Sequence, residues 1–474
     1  MNDLQQSTRR IYEFFAGICK IPHPSYHCDG IRKFLKQTAE KHNLKYREDG
    51  AGNVRLDRKN GDFASAIALQ SHMDMVPQSV DPDFDFTVRS IEFEEVNGIL
   101  RSKDCRTTLG ADNGIGMAAS LCAMTDENLE DLPLCAIFTV DEETGLTGAM
   151  NIAPEFLECR ALFNLDSEEW GELTTGCAGG AHTTTRIPVQ KQTTPQECTA
   201  GIHVSCHNLK GGHSGTDINL NRGNAILILL DYISKSSAEV STIKGGNLAN
   251  AIPRSAEFTG AVQDFDKLLT FTEKFKENVR RTFDVPSDFD ITVEKLDEPP
   301  TGVIDNFGHI ALFLKSIPSG VIAVDEALEC VATSNNMAII KGDTNTIEIL
   351  MSQRSIRNID RERLSSDIAG RFAKIGGETV TDAEYSAWES TTSAQFLKLA
   401  TDTYKELFNA ECKVKIIHAG LECGLFQEKN PQLPMLSFGP TIRNPHSPSE
   451  ELELATLKDF YNFLAVLAKK ILKK

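Results

Sequence analysis

The sequence predicts an α/β fold: a mixed, mostly parallel sheet flanked by helices, interrupted by an inserted α+β domain. Three observations predict it. First, Ala66–Leu69, Leu134–Val140 and Ala161–Leu165 are short apolar runs of the kind buried parallel strands use, and each ends abruptly in charged residues. Second, from about Gly180 the character changes to strands that alternate apolar and polar residues, with helices between them. That pattern suits an antiparallel sheet. Third, after Trp388 the first pattern resumes.

The bulk numbers set the outer bounds. At 474 residues the chain is too long for one core, so two or three domains are expected. A formal net charge of −18 argues against a nucleic-acid groove or an anionic membrane surface and suits cationic or metal-associated ligands. No apolar run approaches a membrane span, and the first twenty residues read as an amphipathic helix without the plan of a signal peptide. Twelve scattered cysteines, with no Cys-x-x-Cys pair, read as reduced, buried thiols of a cytoplasmic protein.

In chain order, Ile11, Phe14, Phe15 and Ile18 mark the apolar face of the first helix. A proline-containing loop, IPHPSYHCDG, precedes a second helix near Ile31–His42. AGNVRLDR and SAIALQSH are strands. Residues 77–105, rich in Asp and Phe, read as an irregular surface excursion. In TTLGADNGIGMAASLCAM, glycines surround Asp112 and a helix follows. Without a Gly-Lys-Ser/Thr ending, a nucleotide loop is weakly supported, and glycines that fold the backbone tightly around one carboxylate suit it better. In the insert, Asn221–Lys235 and Asp266–Phe283 read as helices, and NMAIIKGD with NTIEILMSQRS reads as a strand pair. LKGGHSGTD places His213 in a glycine-rich loop. Beyond Trp388, SAQFLKLATDTYKELF is a helix, KVKIIHAGLECGLF a strand into a glycine loop, and LPMLSFGPTIRNPHSPSE a strand into a loop bearing His446. An amphipathic helix with C-terminal lysines closes the chain.

The chemistry collects at the strand ends. His72 and Asp74, two apart in extended chain, share a face. Taken alone, His-x-Asp reads as a capped strand end with a surface histidine. Downstream strand ends add Glu142 with Glu143, then Asp166, and the glycine loop adds Asp112. Adjacent carboxylates at a strand end repel one another unless a cation is present. A His/Asp/Glu set without thiolates suits Zn²⁺, Mn²⁺ or Co²⁺. The carboxylates exceed what one tetrahedral ion uses, whereas two metals about 3.5–4 Å apart, bridged by one carboxylate, use them all. A spare carboxylate can then act as general base. The residues themselves predict a dinuclear metallohydrolase, with an amide or a phosphoester as the bond cleaved.

SHMDMVPQ, GADNGIGMA, DEETGLTGA, NLDSEEWGELTTGCAGG, GGHSG, HAGLECGLF and NPHSPSE together resemble the bacterial aminoacyl-histidine dipeptidases. These belong to the co-catalytic zinc peptidase superfamily that also holds carnosinases and aminoacylases. The resemblance covers nearly the whole chain. It implies two Zn²⁺ per subunit, with Mn²⁺ or Co²⁺ as substitutes: His72 and Asp166 on one, Glu143 and His446 on the other, and Asp112 bridging. It further implies that Asp74 orients His72, that Glu142 is the general base on a bridging hydroxide, and that His213 stabilises the oxyanion. Asn250 and Arg354 fall where relatives hold the substrate and its carboxylate; His418 and Glu422 lie in a motif typical of the subgroup, with Glu422 a candidate for the substrate's amino group. Cys28 departs from the glutamate that relatives usually carry. The implied organisation is a catalytic domain split over 1–180 and 389–474 around a lid at 181–388, in a homodimer. The implied activity is hydrolysis of dipeptides, with carnosine-like Xaa-His dipeptides leading. N-acyl-amino-acid deacylation and non-catalytic binding of metal or peptide are the alternatives.

Overall fold

Four apolar runs pair as parallel strands because each is buried on both faces. In the computed structural model, which describes residues 3–58, 63–390 and 394–472, they are Ile67–His72, Leu134–Thr139, Ala161–Asn164 and Met435–Ser437. The parallel registers run Ile67 to Leu134, Ile67 to Ala161 and Met435 to Leu162. Antiparallel strands flank them and complete an eight-stranded sheet in the order 44–48, 54–58, 134–139, 67–72, 161–164, 435–437, 172–177, 413–417. The fold class is therefore the mixed, mostly parallel α/β arrangement expected from the sequence. The chain resolves into two compact units: 1–177 with 388–416 and 421–474, and 178–387 with 417–420.

In the first unit, helix Ala111–Met124 is buried along almost its whole length, and packs on strands 67–72 and 134–139 and on helix Asp3–Cys19. Helix Leu454–Leu472 buries Phe460, Phe463, Leu464 and Leu467. Phe438, directly after the last parallel strand, stacks edge-on against Phe163 at 5.4 Å, Phe460 at 5.8 Å and Phe463 at 5.0 Å. Such ring pairs add to the area they bury. Phe438→Ala is expected to cost this unit about 3–5 kcal/mol, measured as a lowered denaturant midpoint.

A buried polar ladder crosses the same sheet. Gln70, Thr139, Asn164 and Ser437, one from each parallel strand, are all fully buried. Ser437 donates to Asn164 Oδ1 at 2.5 Å, Asn164 donates to Gln70 Oε1 at 2.6 Å, and Gln70 and Thr139 donate to Glu422 Oε2 at 2.5 and 2.8 Å. Burying these groups is tolerable because they satisfy one another.

The irregular excursion expected at 77–105 is partly ordered. Phe93–Val96 and Ile99–Ser102 form a hairpin in a four-stranded sheet with Ile442–Arg443 and Glu451–Glu453. Its partner strands lie some 350 residues along the chain, so no local pattern announced it. Helices expected at 31–42, 221–235 and 266–283 occur at Asp29–Lys41, Ala225–Lys235 and Phe265–Thr282. Of the other expected helices, Met1, Asn2, Ser393, Lys473 and Lys474 lie outside the described residues.

The second unit is an antiparallel nine-stranded sheet with helices, and its long hairpin joins Cys330–Gly342 to Thr346–Ser355. Asn224 caps helix Ala225–Lys235 by accepting from the backbone N–H groups of Ile226 and Leu227. Among the described residues, no helix is long and apolar enough to cross a membrane.

Candidate active site

Parallel strands that end together deliver whatever follows them to one rim, which is where open α/β sheets keep ligand sites. His72 closes its strand, Asp74 follows it, Glu142 and Glu143 follow Thr139, and Asp166 follows Asn164. Asp112 comes from the turn that enters helix Ala111–Met124. Two glycines shape that turn. Gly110 has φ +73°, and a side chain at Gly116 would overlap Asn113 Oδ1 and the Leu165 carbonyl. His446 comes from the loop between strands Ile442–Arg443 and Glu451–Glu453, with left-handed backbone at Asn444 (φ +50°) and at His446 itself (φ +59°). Histidine and asparagine are among the residues that tolerate that region.

The carboxylate of Asp112 divides between two imidazoles. Its Oδ1 lies 3.1 Å from His72 Nε2 and its Oδ2 lies 3.0 Å from His446 Nε2. Asp166 Oδ1 approaches His72 Nε2 at 3.4 Å, and Glu143 Oε1 approaches His446 Nε2 at 3.1 Å. Two clusters of metal-capable atoms result, His72–Asp112–Asp166 and Asp112–Glu143–His446, sharing Asp112. A third cluster, His72–Glu142–Glu143, brings in Glu142. Asn113 donates to Asp166, which steadies that carboxylate. His446 is half exposed, while His72 is fully buried.

Asp74 stands against His72 and also reaches the two glutamates. His72 Nδ1 sits 2.9 Å from the backbone carbonyl of Asp74, against 3.5 Å from its carboxylate. The Asp74 carboxylate also accepts the backbone N–H of Glu142 at 3.0 Å and of Glu143 at 3.2 Å, with Ser25 Oγ donating at 2.8 Å. Asp74 thus orients the imidazole through its main chain and the two glutamates through its side chain.

The electrostatics describe a cluster short of positive charge. Burial, then the proximity of Glu143 and Asp166, pushes Glu142 well above the carboxylate range; burial and Asp112 raise Glu143, and burial also raises Asp166. Burial opposes charge on both imidazoles, yet the facing carboxylates overcome it: His72 is raised well above its ordinary value and His446 to about 11. Glu143 Oε1 is buried, with His446 Nε2 at 3.1 Å beside it. Hard oxygens and imidazole nitrogens packed this closely, with protons supplying the missing charge, fit divalent cations that would replace those protons.

The other sequence candidates form groups of their own. Glu422 is fully buried at the foot of the polar ladder, with Oε1 unpaired, and burial lifts it to about 8. Four candidates gather in the second unit. Arg354 Nη2 lies 3.4 Å from His213 Nε2, Asn250 accepts the backbone N–H of Ser214 at 2.8 Å, and His418 Nε2 meets Ser334 Oγ at 2.7 Å. Ser334 is in turn the cross-strand partner of Arg354. Burial, then Arg354, lowers His418 to about 4, so it is neutral at physiological pH. Tyr385, which accompanies this group by accepting from Arg354 Nη1 at 2.8 Å, escaped the sequence reading, as did Asn113, Ser25 and Glu168. Burial, with Asp112 and Asp166 nearby, raises Glu168 to about 8. Asn113 and Glu168 stand inside motifs already singled out, so adjacency was their available signal; Ser25 and Tyr385 carried none.

Comparison with known proteins identifies the family. The chain is 33% identical to the cytosol non-specific dipeptidase of Escherichia coli (strain K12), over 99% of both chains. Its structure resembles that of aminoacylhistidine dipeptidase from Vibrio alginolyticus with a TM-score of 0.79 and 29% identity, covering 97% of this chain and 96% of that one. A tripeptidase from Staphylococcus aureus shares the fold at a TM-score of 0.59 and 14% identity, over 98% of this chain and 99% of that one. The model of peptidase family M20/M25/M40 matches residues 68–470, a span that holds every strand end and loop of the Asp112 cluster, and the chain belongs to that family.

Proposed function

We propose that this protein is a metal-dependent dipeptidase with Xaa-His dipeptides as its leading substrates. The observation that carries the reading is the division of Asp112 between His72 and His446, each flanked by its own second carboxylate. Two Zn²⁺ ions, replaceable by Mn²⁺ or Co²⁺, would be held by His72 and Asp166 and by Glu143 and His446, with Asp112 shared. When bound, such a pair polarises the scissile carbonyl and lowers the pKa of water toward about 7.

The chain's own residues supply the rest. Glu142, held through its backbone by Asp74, takes a proton from the attacking water and delivers it to the leaving amine. His213 faces the oxyanion of the tetrahedral intermediate, as the donors of an oxyanion hole do. The Arg354 guanidinium, with Asn250 beside His213, suits the free carboxylate of a dipeptide by its planar fork. His418, neutral, offers hydrogen bonds without competing for that carboxylate, and the open Oε1 of Glu422 suits the substrate ammonium. Residues 181–388 act as the lid, and 1–180 with 389–474 as the catalytic domain.

The Vibrio relative's name supports the Xaa-His preference and the Escherichia coli relative's name supports a broader dipeptide range. A homodimer in the cytoplasm completes the reading, the location supported by the Escherichia coli relative's name as a cytosol dipeptidase. The test is a panel on Zn²⁺-reconstituted protein: carnosine, several Xaa-His and Xaa-Xaa dipeptides, tripeptides and N-acetyl amino acids. Highest kcat/KM on Xaa-His dipeptides is expected. Preference for N-acetyl amino acids would replace the proposal with deacylation, and no turnover of any member would end the enzymatic reading.

A further inference from the structure

Glu450 lies outside the set of residues that face one another across the candidate metal centre, yet it joins the two loops that build it. Its side chain is 2% exposed. Oε2 accepts the backbone N–H groups of Leu109 at 2.8 Å and Gly110 at 3.0 Å, and Oε1 accepts that of Asp112 at 3.1 Å. Three converging main-chain donors from a segment about 340 residues away make a shaped cradle for this carboxyl group, and each bond satisfies a backbone N–H beside it.

The other end of this link is His446. Between them the chain makes a tight hydrogen-bonded turn: Glu450 N–H donates to the Ser447 carbonyl at 3.0 Å, Ser447 Oγ to the Asn444 carbonyl at 2.8 Å, and Ser449 N–H to Ser447 Oγ at 3.2 Å. Strand Glu451–Glu453 begins at the next residue and is pinned on both sides, by Ile442–Arg443 and by Ile99–Ser102. A rigid turn therefore carries His446, in its left-handed conformation, at a set distance from Glu450. Because Glu450 grips the backbone of Asp112 itself, it fixes the separation of His446 from the carboxylate oxygen it faces.

We propose that Glu450 is a positioning residue for the metal centre: one buried carboxylate that locks the Asp112 turn to the His446 loop and so sets the spacing of the second cation's ligands. The inference rests on the metal-centre reading above. Groups that hold ligands in place typically contribute 10–100-fold to metal affinity. Glu450→Gln keeps the shape but replaces one acceptor oxygen by an NH₂ group. Whichever way the amide turns, at least one backbone N–H then faces another donor.

The experiment measures Zn²⁺ affinity by competition with a chromophoric chelator, together with melting of the metal-free protein, on the full chain and three variants. Glu450→Gln is expected to bind its weaker Zn²⁺ roughly 10–100-fold less tightly at a temperature where circular dichroism shows it fully folded. Glu450→Asp, which keeps the charge on a shorter stem, is expected to recover part of that loss, and it decides the question if the Gln variant does not fold. Leu467→Ala, a fully buried residue of the last helix, is expected to melt earlier with unchanged Zn²⁺ affinity. Parental affinity in both Glu450 variants would overturn the clamp while leaving the metal centre standing, as would an equal affinity loss in Leu467→Ala. A parent chain that binds no Zn²⁺ would overturn the metal centre and the clamp with it.

Discussion

Glu142→Gln is expected to lower kcat on a dipeptide by about 10²–10⁴-fold, the range for loss of a general acid–base group, while two metals remain bound. The substitution preserves volume and leaves untouched the backbone N–H that Asp74 holds at 3.0 Å, so the strand end stays in place. What disappears is the one function an amide cannot perform, accepting a proton from water and passing it on. KM should stay near the parent's, because Glu142 makes no proposed contact with the substrate's termini. Activity and metal content are to be read together, since Glu142 also stands within the cluster His72–Glu142–Glu143. If the Gln variant loses a metal ion along with its turnover, Glu142 is a ligand and the base must be sought elsewhere; retained turnover would sink the assignment outright.

Asp112→Ala should have the larger structural consequence. Both imidazoles lose the carboxylate oxygen they face at 3.0–3.1 Å, and the two donor clusters lose the member they share. Metal content is expected to fall from two Zn²⁺ per chain to at most one, with turnover reduced to background. The linkage to stability gives an independent readout. Zn²⁺ at a hundredfold its dissociation constant stabilises a folded chain by about 2.7 kcal/mol, which for a unit of this size raises its melting temperature by roughly 5 °C. The parent should show that rise for each of two sites in calorimetry, and the Ala variant for one at most. Two Zn²⁺ bound to the variant, with the rise intact, would refute the sharing of Asp112.

Much of this was legible in the sequence because it is local. Three of the buried parallel strands announce themselves by mostly apolar runs that lead into ionisable residues, as at Leu69 before His72, Val140 before Glu142 and Leu165 before Asp166. Asp112 was legible through the glycines around it, since a turn of this tightness needs Gly110 at positive φ. The hairpin of 93–102 was not legible, because four-residue strands with partly exposed faces carry little periodicity and their partner lies at 451–453. Glu422 lay in a motif noticed for its likeness to a subgroup, but nothing around it foretold full burial beneath Gln70 and Thr139.

By itself, then, the sequence determined the type of sheet, the run of its central strands and which chemical groups sit at their ends. Hydrophobic periodicity and glycine placement act over a few residues, so a single chain displays them without help. Only the tertiary structure decided which oxygen of Asp112 faces which histidine, that the Asp74 carboxylate holds the backbone of Glu142 and Glu143, and that Glu450 ties two loops together. Those choices are made by distances of about 3 Å between groups 40 to 340 residues apart. They exist only once burial has removed water as the competing partner for each charge and hydrogen bond.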